Sequence, residues 1–199
     1  LSRFIVSKDT EKLPPLVDRI GRAANNMNSL IDDILSITKL EAGYQENDLE
    51  TQDVRTILQE AVDMLAPLAA EKNIHLSLEL HHAQCNSKVD RGGVMQVFSN
   101  LIGNAIKFSP EGSRIEVSLE TCGPENIVIA VKDAGPGIDP THLPQIFDRF
   151  WQAKQTKKLG TGLGLAIAKA IIQSHGGSIR AESDGKLGTK FLVTLPLTN

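Results

Sequence analysis

The chain has 199 residues, a net charge of −3 and an aromatic content of 4%. The balanced charge lacks the basic excess that binding to nucleic acid or an anionic membrane surface requires. No apolar run reaches the roughly 20 residues of a transmembrane helix, and Cys85 and Cys122 lack metal-ligand or redox spacing. We therefore expect a folded domain with an appendage in a reducing cytoplasm, without nucleic acid and without membrane contact of its own.

The first part of the chain predicts one long helix with a narrow apolar stripe. Apolar side chains recur in alternating steps of four and three across residues 13–40, the heptad pattern of a helix that packs against other helices. Pro14 and Pro15 fit a first helical turn. The helix either lies on the surface of the following domain or belongs to a separate bundle. We expect residues 1–47 to form an appendage that contains this helix, and residues 48–199 to form the main domain.

The rest of the chain predicts helices and strands that do not alternate regularly. A polar hinge at 44–48 and a short extended piece precede the helix predicted at 54–73. Pro67 is expected to break or kink the last turns of that helix. Helices are predicted at 54–73, 92–108 and 163–174, and strands at 74–80, 113–120, 127–132, 178–182 and 190–195. Short turns between strand pairs favour antiparallel pairing. We expect an α+β fold, a two-layer α/β sandwich with a mixed sheet and helices on one face.

The helix predicted at 92–108 carries a polar stripe opposite an apolar one. Asn100, Asn104 and Lys107 stand at i, i+4 and i+7, so they share one narrow face. The residues expected to enter the core from the other side are Val94, Phe98, Leu101 and Ala105. Mg²⁺ prefers oxygen ligands and keeps several waters, so an amide oxygen together with phosphate oxygens suits it. A solvated polar helix face would give the same pattern.

Two glycine-rich segments follow. Asp133 ends an apolar strand before Gly135 and Gly137, where a carboxylate could accept a hydrogen bond from a base lying against the backbone. Residues 160–165 alternate glycine with other residues and open a helix, where free backbone amides form an anion site. The spacing matches neither a dinucleotide fingerprint nor a P-loop. The alternatives are a plain turn at the first segment and a linker at the second.

An aromatic segment lies between these two. Phe147, Phe150 and Trp151 precede a polar stretch at 152–158 that includes three lysines, Lys154, Lys157 and Lys158. A mobile lid with aromatic anchors and positive charge near phosphates fits this composition. A solvated loop with a small hydrophobic cluster fits it too.

These motifs, in this order, resemble the ATP-binding domain of sensor histidine kinases, within the wider group of DNA gyrase, the heat-shock chaperone ATPases and the mismatch-repair ATPases. The resemblance implies ATP and Mg²⁺ as ligands, with Asn104 on the metal and Lys107 on a phosphate. It assigns the adenine amino group to Asp133, assisted by Thr189. The nucleotide-binding residues that it implies are Asn100, Asn104, Lys107, Phe108, Asp133, Gly135, Gly137, Ile138, Phe150, Gly160, Thr161, Gly162, Leu163, Gly164, Leu165 and Thr189.

The resemblance also implies a function and partners. Asn100 stands where gyrase-like relatives carry a catalytic glutamate, and because an amide cannot take a proton, phosphoryl transfer is favoured over hydrolysis. The long helix resembles the second helix of a dimerisation and phosphotransfer hairpin, which implies a homodimer and a response regulator receiver domain as partner. Gln152 departs from the family, in which many members carry an arginine.

A phosphoacceptor histidine is missing from the sequence. His75, His81, His82, His142 and His175 all lack the following acidic residue of the family's acceptor, and His175 fits a helix cap better. We expect the chain to be a fragment of a bacterial kinase that is membrane-anchored or free in the cytoplasm, with the acceptor upstream, and unable to phosphorylate itself in cis. The alternatives are a non-catalytic nucleotide-binding or dimerisation module, and an ATPase or serine kinase of the same fold group.

Overall fold

The computed structural model describes residues 21, 27, 31, 38, 49–81, 85–123, 125–153 and 161–198. From the predicted long helix it describes Gly21, Met27, Ile31 and Thr38, which are all helical and exposed. The remainder of that helix and the hinge at 44–48 lie outside the described residues.

Seven strands form two sheets in the described part of the chain. They are β1 (Glu50–Asp53), β2 (His75–Leu80), β3 (Asn86–Val89), β4 (Arg114–Cys122), β5 (Asn126–Lys132), β6 (Ser178–Glu182) and β7 (Lys190–Pro196). The larger sheet has the order β2-β4-β5-β7-β6, in which only β2 and β4 are parallel neighbours. β1 and β3 form a separate antiparallel pair. The mixed sheet is therefore confirmed.

Three described helices cover the sheet: α1 (Val54–Glu71), α2 (Arg91–Phe108) and α3 (Gly164–Ser174). Asp53 caps α1 by accepting a hydrogen bond from the N–H of Arg55, 3.1 Å away. Asp90 caps α2 in the same way through Gly92 and Gly93, both at 3.0 Å. Each carboxylate accepts hydrogen bonds from N–H groups that have no partner within the helix. Its negative charge also interacts favourably with the positive end of the helix dipole.

One core joins the helices to one face of the sheet. Along β4 the inward side chains Ile115, Val117 and Leu119 are fully buried, and they join the buried residues of all three helices in one cluster. Glu116 alternates with them on the opposite face, where it pairs with Lys132 of β5 at 3.1 Å. The two-layer arrangement with helices on one face is confirmed, and the helices and strands predicted between residues 54 and 195 lie within two residues of their observed bounds.

Pro67 does not break α1, so the predicted break is wrong, while the kink that the sequence analysis gave as its alternative stays a prediction. The helix continues past it to Glu71. A proline removes one hydrogen bond and crowds the carbonyl four residues earlier. That carbonyl belongs to Asp63, an exposed residue, so water can solvate it. Burial of Ala69 at 1% exposure then holds the last turn against the core.

The sequence analysis did not predict β3. Burial alternates along its four residues, and the two inward positions are Ser87 and Val89, which are both buried. Only one of these two residues is apolar, so the sequence alternation is weak. The Ser87 hydroxyl donates a hydrogen bond to the carbonyl oxygen of Pro196 at 2.6 Å. Because this partner lies 109 residues away in the chain, no local pattern indicates that a buried serine replaces an apolar residue here.

Candidate functional site

The polar stripe of α2 faces away from the core, as predicted. Asn100, Asn104 and Lys107 are partly exposed. The side chains predicted for the core, Val94, Phe98, Leu101 and Ala105, are exposed by 1% or less. A methyl group built at Gly103 would have no heavy atom within 4 Å, which leaves open space beside the stripe. The stripe therefore lines an accessible surface.

Asn100 links α2 to the start of α3. Its side-chain amide nitrogen donates a hydrogen bond to the carbonyl oxygen of Gly164 at 3.2 Å. A Cβ at Gly164 would lie 3.4 Å from the same side chain, closer than most such contacts. The polar stripe and the glycine-rich segment, 64 residues apart in sequence, thus meet at one point.

The first turn of α3 has no side-chain cap, unlike the other two described helices. Leu163 stands at the cap position and offers no acceptor. The Thr161 hydroxyl accepts a hydrogen bond from the Leu163 N–H at 3.1 Å. Among the described residues no capping side chain binds the amides at Gly164 and Leu165, which leaves the positive end of the helix dipole available to an anion. Gly160, the first glycine of the motif, lies outside the described residues.

Asp133 occupies a buried position directly after β5, with 9% exposure. Its Oδ1 accepts hydrogen bonds from the N–H groups of Gly135 at 2.7 Å and Thr189 at 3.1 Å. Oδ2 accepts none from the described residues. Burial raises the pKa of this carboxyl above its ordinary value of 3.8, and the two N–H donors oppose the rise. One oxygen is held by the backbone, while the other can accept a hydrogen bond from an amino group.

The backbone around Asp133 is crowded, which explains two glycines. A Cβ at Gly135 would lie 2.9 Å from Asp133 Oδ1 and 3.1 Å from the carbonyl oxygen of Phe108. At Gly188, φ is +76° and a Cβ would lie 2.0 Å from the Asp133 carbonyl oxygen. A side chain at Gly135 would displace the carboxylate or the end of α2, and one at Gly188 would displace the backbone of Asp133.

Ser183, which the sequence analysis missed, joins the loop after β5 to the loop before β7. Its hydroxyl accepts a hydrogen bond from the Ile138 N–H at 2.9 Å and donates one to the Gly188 carbonyl at 2.7 Å. Gly137 has φ of +75°, and a Cβ there would lie 2.9 Å from the Ser183 hydroxyl. The predicted residues Gly137 and Ile138 are thus held beside Thr189. The turn composition around Ser183 gives no signal of this role.

Lys107 carries a partly desolvated positive charge at the end of the stripe. Burial lowers the pKa of its ammonium below the ordinary 10.5. The ammonium lies 4.8 Å from the centre of the Phe108 ring, and no carboxylate of the described residues pairs with it. A bound anion would offset the free-energy cost of removing this charge from water, so the position suits a phosphate.

Asn104 stands between Asn100 and Lys107 on the stripe and fits a magnesium ligand. Its amide makes no hydrogen bond to the described residues. Within the described ranges no group of three or more His, Cys, Asp or Glu side chains could enclose a metal ion. Mg²⁺ is commonly held by one or two protein oxygens plus phosphates and water. A single amide oxygen beside an anion site meets that requirement.

Phe150, from the aromatic segment of the predicted lid, contacts Gly162 of the second glycine-rich segment. The Phe150 N–H donates to the Gly162 carbonyl at 2.9 Å, and a Cβ at Gly162 would lie 2.8 Å from the Phe150 carbonyl carbon. Phe147 and Trp151 pack against the core, as predicted for anchors. Phe150 does not, because its backbone has φ of +62° and its side chain is 70% exposed. Residues 154–160, with the three lysines, lie outside the described ranges.

His175 caps α3, as predicted, and also contacts α2. Its Nδ1 donates to the Ile171 carbonyl at 2.7 Å, and its Nε2 accepts from the Asp90 N–H at 2.9 Å. The ring therefore connects the end of α3 to the cap of α2. Sequence reasoning missed this second contact because the partners are 85 residues apart.

Three further histidines are described, and none of them contacts the polar stripe of α2 or Asp133. His75 and His81 are exposed, and His142 lies against Trp151 with ring centres 5.7 Å apart. His82 lies outside the described residues. None of them is followed by an acidic residue.

Comparison with known proteins gives a family match over the region that contains the site. Residues 89–199 match the family described as histidine kinase-, DNA gyrase B-, and HSP90-like ATPase. The match includes the polar stripe, Asp133 and both glycine-rich segments.

Two curated relatives are sensor proteins. The chain is 37% identical over 175 residues to the sensor histidine kinase WalK of Bacillus subtilis, an alignment that covers 85% of this chain and 28% of WalK. It is 33% identical over 169 residues to the swarming motility regulation sensor protein RssA of Serratia marcescens, covering 84% of this chain and 36% of RssA. The chain thus spans about a third of the length of these relatives.

Solved structures agree with the fold. The structure of full-length ShkA in complex with AMPPNP aligns with a TM-score of 0.81 and 26% identity, covering 94% of this chain and 39% of ShkA. The mycobacterial sensor histidine kinase MprB aligns with a TM-score of 0.68 and 27% identity, covering 75% of this chain and 97% of the MprB chain. In the described part of this chain, no helix combines the length and hydropathy that crossing a bilayer requires.

Proposed function

Because the chain belongs to the histidine kinase-, DNA gyrase B- and HSP90-like ATPase family, as a sensor histidine kinase catalytic ATP-binding domain, we propose that it transfers the γ-phosphoryl group of magnesium ATP to a histidine. The observation that carries the proposal is the hydrogen bond from Asn100 to Gly164. It joins a helix face suited to metal and phosphate to the uncapped end of a second helix. Phosphoryl transfer depends mostly on such positioning and charge neutralisation.

The proposed base site is centred on Asp133. Its Oδ2 accepts a hydrogen bond from the adenine amino group, while the N–H groups of Gly135 and Thr189 hold Oδ1. Close backbone approach at Gly135 and Gly137 lets the base lie against the chain. Phe108, Ile138 and Thr189 complete the surroundings of the base. This arrangement is supported by the free oxygen of the buried carboxylate.

The proposed phosphate site lies between α2 and α3. Lys107 binds a phosphate oxygen through its ammonium, and the first-turn amides of α3 bind another. The residues proposed to bind the phosphates also include Gly160, Thr161, Gly162, Leu163, Gly164 and Leu165 of the glycine-rich segment, together with Phe150. Asn104 holds Mg²⁺, which neutralises charge on the phosphates when bound.

We propose transfer to a histidine rather than to water because Asn100 cannot act as a general base. An amide has no proton-accepting nitrogen at neutral pH, and here its nitrogen already donates to Gly164. An ionised glutamate at this position could not donate that hydrogen bond. Asparagine in place of glutamate therefore provides the hydrogen bond between the two helices and removes the general base that hydrolysis would require.

The proposed partners follow from the sequence and the comparisons. Met27 and Ile31 stand one turn apart on the apolar stripe, with 63% and 52% exposure, and support homodimerisation through a helical stalk. We propose that none of the five histidines of this sequence receives the phosphoryl group, because none is followed by an acidic residue, and that the chain alone therefore does not phosphorylate itself in cis. The phosphoryl group passes on to an aspartate of a response regulator receiver domain. We propose a cytoplasmic location for this part of the protein, because it takes ATP as its proposed substrate.

The proposal is tested by supplying the acceptor in trans. The chain is incubated with γ-labelled ATP, magnesium and a helical hairpin that carries a histidine followed by an acidic residue. We expect acid-labile label on the hairpin, and none when Asn104 is replaced by alanine. Rapid phosphate release without a labelled hairpin would identify an ATPase. Nucleotide binding with neither product would favour a regulatory binding module.

A further inference from the structure

Lys72, which directly follows α1, binds the end of a different helix. Its ammonium nitrogen donates hydrogen bonds to the carbonyl oxygens of Ile106 at 2.8 Å, Lys107 at 3.2 Å and Ser109 at 3.0 Å. No carboxylate of the described residues lies within ion-pair distance of it. The ammonium of this half-buried lysine therefore binds the last turn of α2 and Ser109, the residue that follows it.

This contact supplies what the end of α2 lacks. The last carbonyls of a helix have no partner within it, and they form the negative end of the dipole. The basic residue of that turn is Lys107, whose ammonium lies over the Phe108 ring. Lys72 therefore satisfies carbonyls that the helix's own lysine does not reach, and leaves Lys107 available to an anion.

The contact also fixes where the last turn of α2 lies. The Phe108 carbonyl, which Lys72 does not bind, is near Gly135, where a Cβ would come within 3.1 Å of it. The end of α2 is thus held between Lys72 on one side and the Asp133 loop on the other. Asp133 itself is held by the backbone of Gly135 and Thr189 and needs nothing from Lys72.

We propose that Lys72 is a positioning residue for nucleotide binding. Its ammonium holds the last turn of α2 so that Lys107 and Asn104 stand at the correct distance from Asp133. This inference rests on the proposed function, because it takes magnesium ATP as the ligand. Losing Lys72 shifts the phosphate and metal side of the site, while Asp133, the proposed acceptor for the adenine amino group, keeps its own backbone support.

The test compares Lys72→Met with Lys72→Arg, which keeps the charge and several donors. A control, Lys132→Met, removes an exposed lysine whose ion pair with Glu116 lies on the opposite face of the sheet. Calorimetry measures the affinity of each full chain for magnesium AMPPNP and for adenosine, at a temperature where thermal melts show the variants folded. Should Lys72→Met fail to fold, Lys72→Gln, which retains a neutral donor, takes its place.

We expect Lys72→Met to weaken magnesium AMPPNP about tenfold, comparable to losing one hydrogen bond to a charged group. Adenosine affinity should change by less than about twofold, a difference within 0.4 kcal/mol. Lys72→Arg should recover most of the loss, and the control should match the wild type. An equal loss for both ligands, or no loss, would overturn the inference. If the wild-type chain binds neither ligand, it is the proposed function that fails.

Discussion

The side-chain amide of Asn100 donates a hydrogen bond to the carbonyl oxygen of Gly164, and thereby connects α2 to the first residue of α3. At the other end of the same helix pair, the Asp90 N–H donates to His175 Nε2. The two contacts fix how the helices lie against each other. The polar stripe and the uncapped amides of α3 consequently keep a constant separation.

Replacing Asn100 with leucine should weaken both the fold and the site. The side chain keeps its approximate size but loses the donor, and the Gly164 carbonyl loses its partner. We expect the free energy of unfolding to fall by about 1 kcal/mol, together with a loss of affinity for magnesium AMPPNP. Urea denaturation and calorimetry measure the two quantities.

Gln59→Leu is the matched control for that variant. Gln59 also uses its amide nitrogen in one hydrogen bond, to Asp63 at 2.9 Å, but on the exposed side of α1. Its loss should leave nucleotide affinity unchanged. Equal affinities for Asn100→Leu and Gln59→Leu would show that the link to Gly164 does not matter for binding.

Asn104→Ala should remove the dependence of nucleotide affinity on magnesium. Asn104 supplies the proposed metal-ligating oxygen, and a methyl group cannot replace it. We expect the variant in magnesium to bind AMPPNP no more tightly than the wild type does in EDTA. Because its amide makes no hydrogen bond to the described residues, the melting temperature should change little. A retained magnesium effect would remove Asn104 from the metal site.

Asp133→Asn should separate binding from stability. The amide oxygen can still accept from Gly135 and Thr189, but an amide nitrogen then replaces the oxygen proposed for the adenine amino group. We expect adenine nucleotides to bind at least about tenfold more weakly, the cost of one hydrogen bond to a charged group. Inorganic triphosphate, which has no base, should bind as before. Equal weakening of both ligands would give Asp133 a structural role only.

The same variant should be at least as stable as the wild type at neutral pH. Burial raises the folded pKa of Asp133 above 3.8. Between pH 3.8 and the folded pKa, the folded chain thus binds more protons than the unfolded chain, and its stability falls as pH rises across this range. Asparagine does not ionise and avoids this loss. A large drop in melting temperature at pH 7 would contradict this expectation.

Lys107 should make nucleotide affinity sensitive to alkaline pH. Its pKa lies below 10.5 because of burial, so its positive charge is lost earlier in a titration than that of an exposed lysine. Affinity for magnesium AMPPNP should fall as pH rises through that pKa, and Lys107→Met should be weaker and lack this fall. Calorimetric titrations across alkaline pH measure both. An identical pH profile in the two proteins would exclude Lys107 from phosphate binding.

Much of this architecture follows from local sequence patterns. The helical period placed Asn100, Asn104 and Lys107 opposite a buried stripe, and the structure confirms that arrangement. Strand alternation predicted the five strands of the mixed sheet. Patterns of this kind work because a residue's burial depends on its face of the helix or strand.

Contacts between distant segments could not be predicted in the same way. Lys72 and the end of α2 are separated by more than 30 residues, and a lysine after a helix normally indicates solvent exposure. Ser183 is likewise recognisable only once the two loops it joins are adjacent. The break expected at Pro67 is absent for another reason, because packing of the last turn outweighed a local propensity.

The most direct test of the account is a calorimetric titration of the chain with AMPPNP, with and without magnesium. We predict binding that is much tighter with the metal, because phosphates and the Asn104 oxygen coordinate it together. Absence of binding, or equal affinity with and without magnesium, would contradict the proposed magnesium nucleotide site.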